Sequence, residues 1–141
     1  MPVPGSNLVQ FVPTGGEFFV DVITDPGGQP ASILDVDPGF EVTGRVTLPN
    51  WLKGKGQVCI YADELGGPID EKLSPCAEIP ITGKVGEPGV TVYKWSIKFP
   101  GTVLPDPSPG SQLYRLAAIF QFGDQLTDIA SFVEMGTYLI N

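Results

Sequence analysis

Residues 40–48 read Phe-Glu-Val-Thr-Gly-Arg-Val-Thr-Leu, so that apolar or small residues alternate with polar ones over the whole stretch. Successive side chains of a β-strand leave opposite faces, and this period of two therefore predicts a strand with one buried face. A helix would distribute the large apolar residues of the stretch around its circumference. The alternation returns in residues 90–99, where Tyr93, Trp95 and Ile97 share one phase, which predicts that Trp95 is a core residue.

Turn-forming residues divide the rest of the chain. The 141 residues include 18 Gly and 15 Pro without low-complexity repeats, a pattern typical of short strands joined by frequent turns. We therefore expect an all-β fold, an antiparallel β-sandwich of about seven to nine strands. No internal repeat or domain boundary is evident, so residues 16–141 are expected to form a single domain.

Residues 1–15 precede that domain and are expected to form an extended arm. They contain Pro2, Pro4 and Pro13 around a short apolar centre. Proline cannot donate a hydrogen bond to a sheet, which favours an edge position over a central strand. Two interpretations stay open for the arm. In the first it pairs with an edge strand of another subunit, and in the second it packs on the sandwich of its own chain.

Residues 109–116 read Pro-Gly-Ser-Gln-Leu-Tyr-Arg-Leu. This segment resembles the start of the sixth strand in immunoglobulin and fibronectin-type sandwiches, in which the tyrosine hydroxyl bonds to an upstream backbone group. The resemblance implies an immunoglobulin-like sandwich and a structural role for Tyr114, and it implies no activity. The chain departs from antibody domains at Leu116, where those domains carry a cysteine.

The charge of the chain restricts its partners. With 16 acidic and 8 basic residues the net charge is −8, which excludes a general binder of the nucleic-acid phosphate backbone. No window approaches the 18 apolar residues expected of a membrane-spanning helix. The first residues show no secretory signal, which slightly favours the cytoplasm and leaves the location unknown.

The two cysteines, Cys59 and Cys76, allow two interpretations. A disulfide between them would close a loop of useful length for stabilisation. Alternatively, both remain thiols that behave as small hydrophobic residues. The choice depends on the redox state of the compartment in which the protein resides.

The sequence contains no histidine, the residue that most often acts as a general base. It also lacks the glycine-rich phosphate-binding and nucleophile-elbow motifs. We therefore expect a protein that is not an enzyme and needs no cofactor. A hydrolase using two carboxylates is the remaining catalytic hypothesis, with Asp63 or Glu64 opposite Asp128 or Glu134.

Calcium needs only oxygen ligands, and acidic residues cluster near the quoted stretch. Asp35, Asp37 and Glu41 are close enough in sequence to share one ion. Their spacing does not match the EF-hand loop. They are the candidate metal ligands, and the interpretation as solvated turn residues stays open beside them.

A large aromatic residue stands on a loop rich in Gly and Lys. Trp51 is the candidate contact for a small ligand or a carbohydrate, with Asn50 and Lys53 as polar neighbours. The alternative is a tryptophan that closes one end of the sandwich. A ligand-binding module of this kind, with calcium assisting, is our second functional hypothesis.

Our first hypothesis is a non-catalytic β-sandwich that acts through protein–protein contacts, as an assembly subunit or an accessory module. Residues 113–122 carry apolar side chains on both faces, which indicates a strand covered on both sides or covered by a partner chain. Residues 129–135 are similarly apolar. An exposed apolar patch on these segments would bind a protein partner or a second copy of the chain.

Overall fold

In the computed structural model, the described residues are 9–11, 16–24, 33–34, 39–65, 70–73, 75–100, 112–123 and 129–140. Within these ranges every regular element is a β-strand and none is a helix. The ten strands are β1 Val9–Phe11, β2 Gly16–Thr24, β3 Ile33–Leu34, β4 Gly39–Pro49, β5 Gly54–Glu64, β6 Asp70–Lys72, β7 Ala77–Ile81, β8 Val90–Pro100, β9 Gln112–Phe122 and β10 Ile129–Ile140. The count exceeds the expected seven to nine because β1, β3 and β6 are very short additions at sheet edges.

The strands form two sheets. The smaller sheet has the order β1-β2-β4-β8, and the larger has the order β3-β10-β9-β5-β6, with β7 paired to the other half of β5. Every described pairing is antiparallel except the short one between β3 and β10, which is parallel. The antiparallel all-β prediction is confirmed.

The two sheets pack on one hydrophobic core. The ring of Phe18 on β2 lies 5.8 Å, centroid to centroid, from the ring of Phe120 on β9, which joins the two sheets at the centre. In β4, buried and partly exposed residues alternate as the quoted stretch predicts. Val42 and Val46 are fully buried, whereas Thr43 and Arg45 reach the surface. The pleat therefore explains the period of two.

Trp95 occupies the core from β8. It is only 5% exposed and packs 6.1 Å from Phe18, ring centroid to ring centroid. Gly44 lies directly opposite Trp95 on β4. A Cβ atom at position 44 would lie 2.3 Å from Cζ2 of Trp95. The absence of a side chain at Gly44 therefore leaves the space that the indole ring of Trp95 fills.

A β-bulge interrupts the ladder of β10. The register with β9 shifts between Glu134 and Gly136, which leaves Met135 without a directly opposite residue. Gly136 adopts a φ of 101°, a conformation that favours glycine. The buried Tyr138 hydroxyl donates to the carbonyl oxygen of Met135 at 3.0 Å. This bond satisfies a backbone group at the irregular point of the strand.

Burial raises the pKa of the Tyr138 phenol from its usual 10.0 to about 12. Between these two pH values the unfolded chain loses a proton that the folded chain retains. Stability from this residue is therefore complete below the unfolded pKa and is lost as the pH rises toward 12. We expect the urea midpoint to fall over this range, and to fall less steeply in Tyr138→Phe, which has no phenol. Parallel declines in both proteins would contradict this expectation.

The described part of the arm pairs with its own chain. Val9 is opposite Phe18, and Phe11 is opposite Gly16, so β1 extends the smaller sheet by hairpin pairing with β2. Of the two interpretations of the arm, these residues take the intramolecular one. Residues 1–8 and 12–15 of the predicted arm lie outside the described part.

Candidate functional site

Asn50 connects the end of β4 to the loop between β7 and β8. Its side-chain amide donates to the carbonyl of Pro88 at 3.1 Å, and its Oδ1 accepts a hydrogen bond from the Thr91 hydroxyl. Its backbone N–H donates to Gly89 at 3.0 Å, and its carbonyl accepts from Lys84 at 2.7 Å. The buried amide of Asn50 thus holds this loop in place.

Trp51 and Lys53 lie on the following turn and face solvent. Trp51 is 64% exposed, while the intervening Leu52 is buried and anchors the turn. Val85, beside Lys84 on the neighbouring loop, is also exposed. A ligand at this turn would contact Trp51 and Lys53 directly, whereas Asn50 would act through the loop that it positions. The ligand site stays a prediction.

The predicted calcium site falls largely outside the described residues. Asp35 and Asp37 are not among them. Glu41 is, and its carboxylate accepts a hydrogen bond from the Ser96 hydroxyl at 2.8 Å across to β8. Among the residues that the structure describes, no group of three or more His, Cys, Asp or Glu gathers around one point. Calcium binding stays a prediction.

The candidate catalytic carboxylates are divided between the two faces of the larger sheet. Glu64 is opposite the buried Tyr114 and turns inward, with its Oε2 buried and without a hydrogen-bond partner. Glu134 is exposed on the outer side. Asp63 also faces outward but is directly opposite Arg115 on β9. Asp128 lies outside the described residues, and the hydrolase hypothesis stays a prediction.

A disulfide joins Cys59 to Cys76, with the two Cα atoms 4.6 Å apart. Cys59 lies on the outer side of β5, and Cys76 immediately precedes β7. The bridge therefore fastens the start of β7 to the strand with which β7 pairs. Of the two interpretations of the cysteines, the structure adopts the oxidised one.

The outer face of the larger sheet carries an apolar row that crosses three strands. Phe132 on β10 is directly opposite Ile119 on β9, and Ile119 is directly opposite Cys59 on β5. Phe132 is 59% exposed although it lies in the middle of a strand. The next row places Ala117 between Glu134 and Tyr61. Phe132 is thus the exposed member of this row, Ile119 is partly exposed and Cys59 is buried.

Charged residues of both signs surround this apolar row. The charged residues at outer-face positions of the described strands are three basic and four acidic: Lys55, Lys72, Arg115, Asp63, Asp70, Glu78 and Glu134. Three positive and four negative residues sum to −1, whereas the whole chain carries a net charge of −8. The described part of this face is therefore close to neutral.

The outer face of the smaller sheet has a different character. Arg45 donates to both carboxylate oxygens of Asp21, with its Nη2 3.0 Å from Oδ1, and its guanidinium lies 4.2 Å from the centroid of the Phe19 ring. These contacts occupy the centre of the face with a polar cluster. The larger sheet, by contrast, exposes its apolar residues at the centre.

Comparisons of the chain with protein-family models and with curated protein sequences find no match. Across the described ranges, no helix has the length and apolar character to cross a membrane. The two outer faces and the sheet edges are therefore the guides to function.

Proposed function

We propose that this protein is a non-catalytic β-sandwich that acts through protein–protein contact, and that the outer face of its larger sheet binds a second copy of the chain. The observation that supports the proposal is the row formed by Phe132 and Ile119, in which a phenylalanine in mid-strand is 59% exposed. Burying apolar surface contributes about 25 cal/mol per Å². Contiguous exposed apolar residues are typical of interaction sites.

Charge favours a second copy as the occupant of this face. A two-fold contact brings the same patch of both subunits together, so the patch must be complementary to itself. The charges at outer-face positions of the described strands sum to −1, close to neutral, and Arg115 and Glu134 lie in neighbouring rows. Arg115 of one copy would meet Glu134 of the other.

Phe132→Asp is expected to weaken self-association by about 30-fold or more, the effect of losing a buried aromatic at an interface centre. The substitution would bury an unpaired carboxylate in place of an apolar ring. Sedimentation equilibrium over a concentration series measures the association constant. Val85→Asp introduces the same charge at another exposed apolar residue and should leave the association unchanged.

Charge reversal provides a second test of the same contact. Arg115→Glu and Glu134→Arg are each expected to weaken association, and the double variant should recover it, because the pair would then be restored in the opposite sense. A wild-type protein that stays monomeric up to its solubility limit would overturn the proposal. So would a dimer that persists unchanged in Phe132→Asp.

We also infer that the sandwich is immunoglobulin-like. Two features support this: the Pro-Gly-Ser-Gln-Leu-Tyr segment that leads into β9, and the burial of Tyr114 at the corresponding position. The inference concerns the fold and the structural role of Tyr114. It supplies no activity and leaves the contact proposal unchanged.

The second candidate function is a small-ligand or carbohydrate-binding module, assisted by calcium. The 64% exposure of Trp51 favours it, because stacking on a sugar requires a free aromatic face. A glycan array probed with and without calcium should give a signal that Trp51→Ala abolishes and Phe132→Asp leaves intact. Absence of any signal, or a signal unaffected by Trp51→Ala, would remove this candidate.

A further inference from the structure

Strand β8 forms one edge of the smaller sheet. It pairs with β4 along its whole length, from Pro100 opposite Gly39 to Val90 opposite Pro49. On its other side no described strand pairs with it. Strand β7 of the larger sheet packs nearby, but its ladder is formed with β5. An 11-residue strand therefore presents one row of main-chain groups that no described strand occupies.

The outward side chains divide this edge strand into two halves. Val90 and Val92, in the first half, are 55% and 51% exposed. Lys94 and Lys98, in the second half, are exposed and basic. Proteins commonly protect sheet edges with lysine and proline. Here the lysines stand only in the second half and Pro100 ends the strand, so the first half keeps an uncharged, apolar edge.

Strand β4 places an acidic residue opposite Lys98 but not opposite Lys94. Lys94 is directly opposite Arg45, whose guanidinium is engaged with Asp21. Lys98 is opposite Glu41, whose carboxylate accepts from the Ser96 hydroxyl. Within the described residues the one ion pair of this sheet is that between Arg45 and Asp21. The edge thus favours an acidic neighbour beside the lysines.

We propose that β8 binds an extended peptide segment of another protein by strand addition. Such binding takes its affinity from main-chain hydrogen bonds and its specificity from alternate side chains. The segment would place apolar side chains beside Val90 and Val92 and carboxylates beside Lys94 and Lys98. A second copy of β8 fits less well, because antiparallel pairing would crowd the lysines of both copies. This surface is independent of the proposed self-association, which uses the other sheet.

The probe is a synthetic peptide of 11 residues, the length of β8. It carries Glu at the positions opposite Lys94 and Lys98, Val opposite Val90 and Val92, and Thr elsewhere, in antiparallel order. We expect saturable binding to the full-length protein by calorimetry, with amide shifts in NMR confined to β8 and its neighbours. A scrambled peptide of the same composition should bind at least about tenfold more weakly, since its charges lose their register.

Two further variants separate strand addition from simple charge attraction. Alternate amides of a strand face the same edge, so N-methylation of one alternate set should abolish binding and methylation of the other set should not. The variant Lys94→Glu/Lys98→Glu should weaken binding roughly tenfold, the effect of two exposed ion pairs, and a peptide with Lys in place of Glu should restore it. Equal effects of both methylated peptides, no binding of the designed peptide, or protection of the β8 edge by self-pairing alone would each overturn the proposal.

Discussion

Replacing Trp95 with alanine is expected to lower the free energy of unfolding by about 3–5 kcal/mol, the usual cost of removing a large buried aromatic. Trp95 is 5% exposed and contacts Phe18, which in turn contacts Phe120 across the sandwich. The loss is a large part of the roughly 5–15 kcal/mol that stabilises a typical domain. Urea unfolding followed by circular dichroism measures it. Val92→Ala, on the exposed side of the same strand, should change stability by no more than about 0.5 kcal/mol.

A double-mutant cycle of Gly44→Ala and Trp95→Ala tests whether the missing side chain at position 44 makes room for the indole ring. Gly44→Ala alone would place a methyl group 2.3 Å from Trp95 Cζ2 and 2.7 Å from the Phe19 carbonyl, and should cost about 1–3 kcal/mol by overpacking. In a Trp95→Ala background the first clash disappears and the second remains, so the cost of Gly44→Ala should decrease. Strict additivity of the two substitutions would show that the ring and the glycine are not coupled.

The sequence was sufficient to predict which side of β4 and β8 is buried. Alternation in residues 40–48 and 90–99 reports burial directly, because the pleat sends neighbouring side chains to opposite faces. Phe40, Val42, Trp95 and Ile97 are buried as this phase requires. The order of strands was beyond sequence reasoning, since it depends on pairings between segments far apart in the chain.

Strand β9 illustrates the limit of pattern reasoning. Apolar residues occupy both of its faces. The sequence therefore did not show which face packs on the core and which face points outward. In the structure, Tyr114 and Phe120 turn inward, whereas Leu113 and Ile119 turn outward. Only the position of the opposite sheet decides between the two faces. Phe132 is exposed for the same reason, because it lies beside Ile119 on the face that points away from the other sheet.

The candidate ligand residues show a second limit. Asn50, Trp51 and Lys53 are close in sequence, yet the amide is buried in contacts with Pro88 and Thr91 while the indole is exposed. The partners of Asn50 lie about forty positions away and belong to a different strand connection. The local composition identifies the loop, but it wrongly suggests that Asn50 is exposed to solvent.

Removing the disulfide with Cys59→Ala/Cys76→Ala is expected to lower the free energy of unfolding by about 3 kcal/mol, the chain-entropy estimate for cysteines separated by 17 positions. The unfolded chain gains freedom in the loop that contains β6, while the folded chain keeps the ladder of β7 with β5. Urea unfolding of the wild type with and without reductant should reproduce the same difference, and the double variant should not respond to reductant. Unchanged stability of the wild type on reduction, or thiols that react in the native protein before reduction, would show that the bridge is absent in solution. Since stable disulfides are typical of oxidising compartments, a positive result would favour such a compartment for this protein.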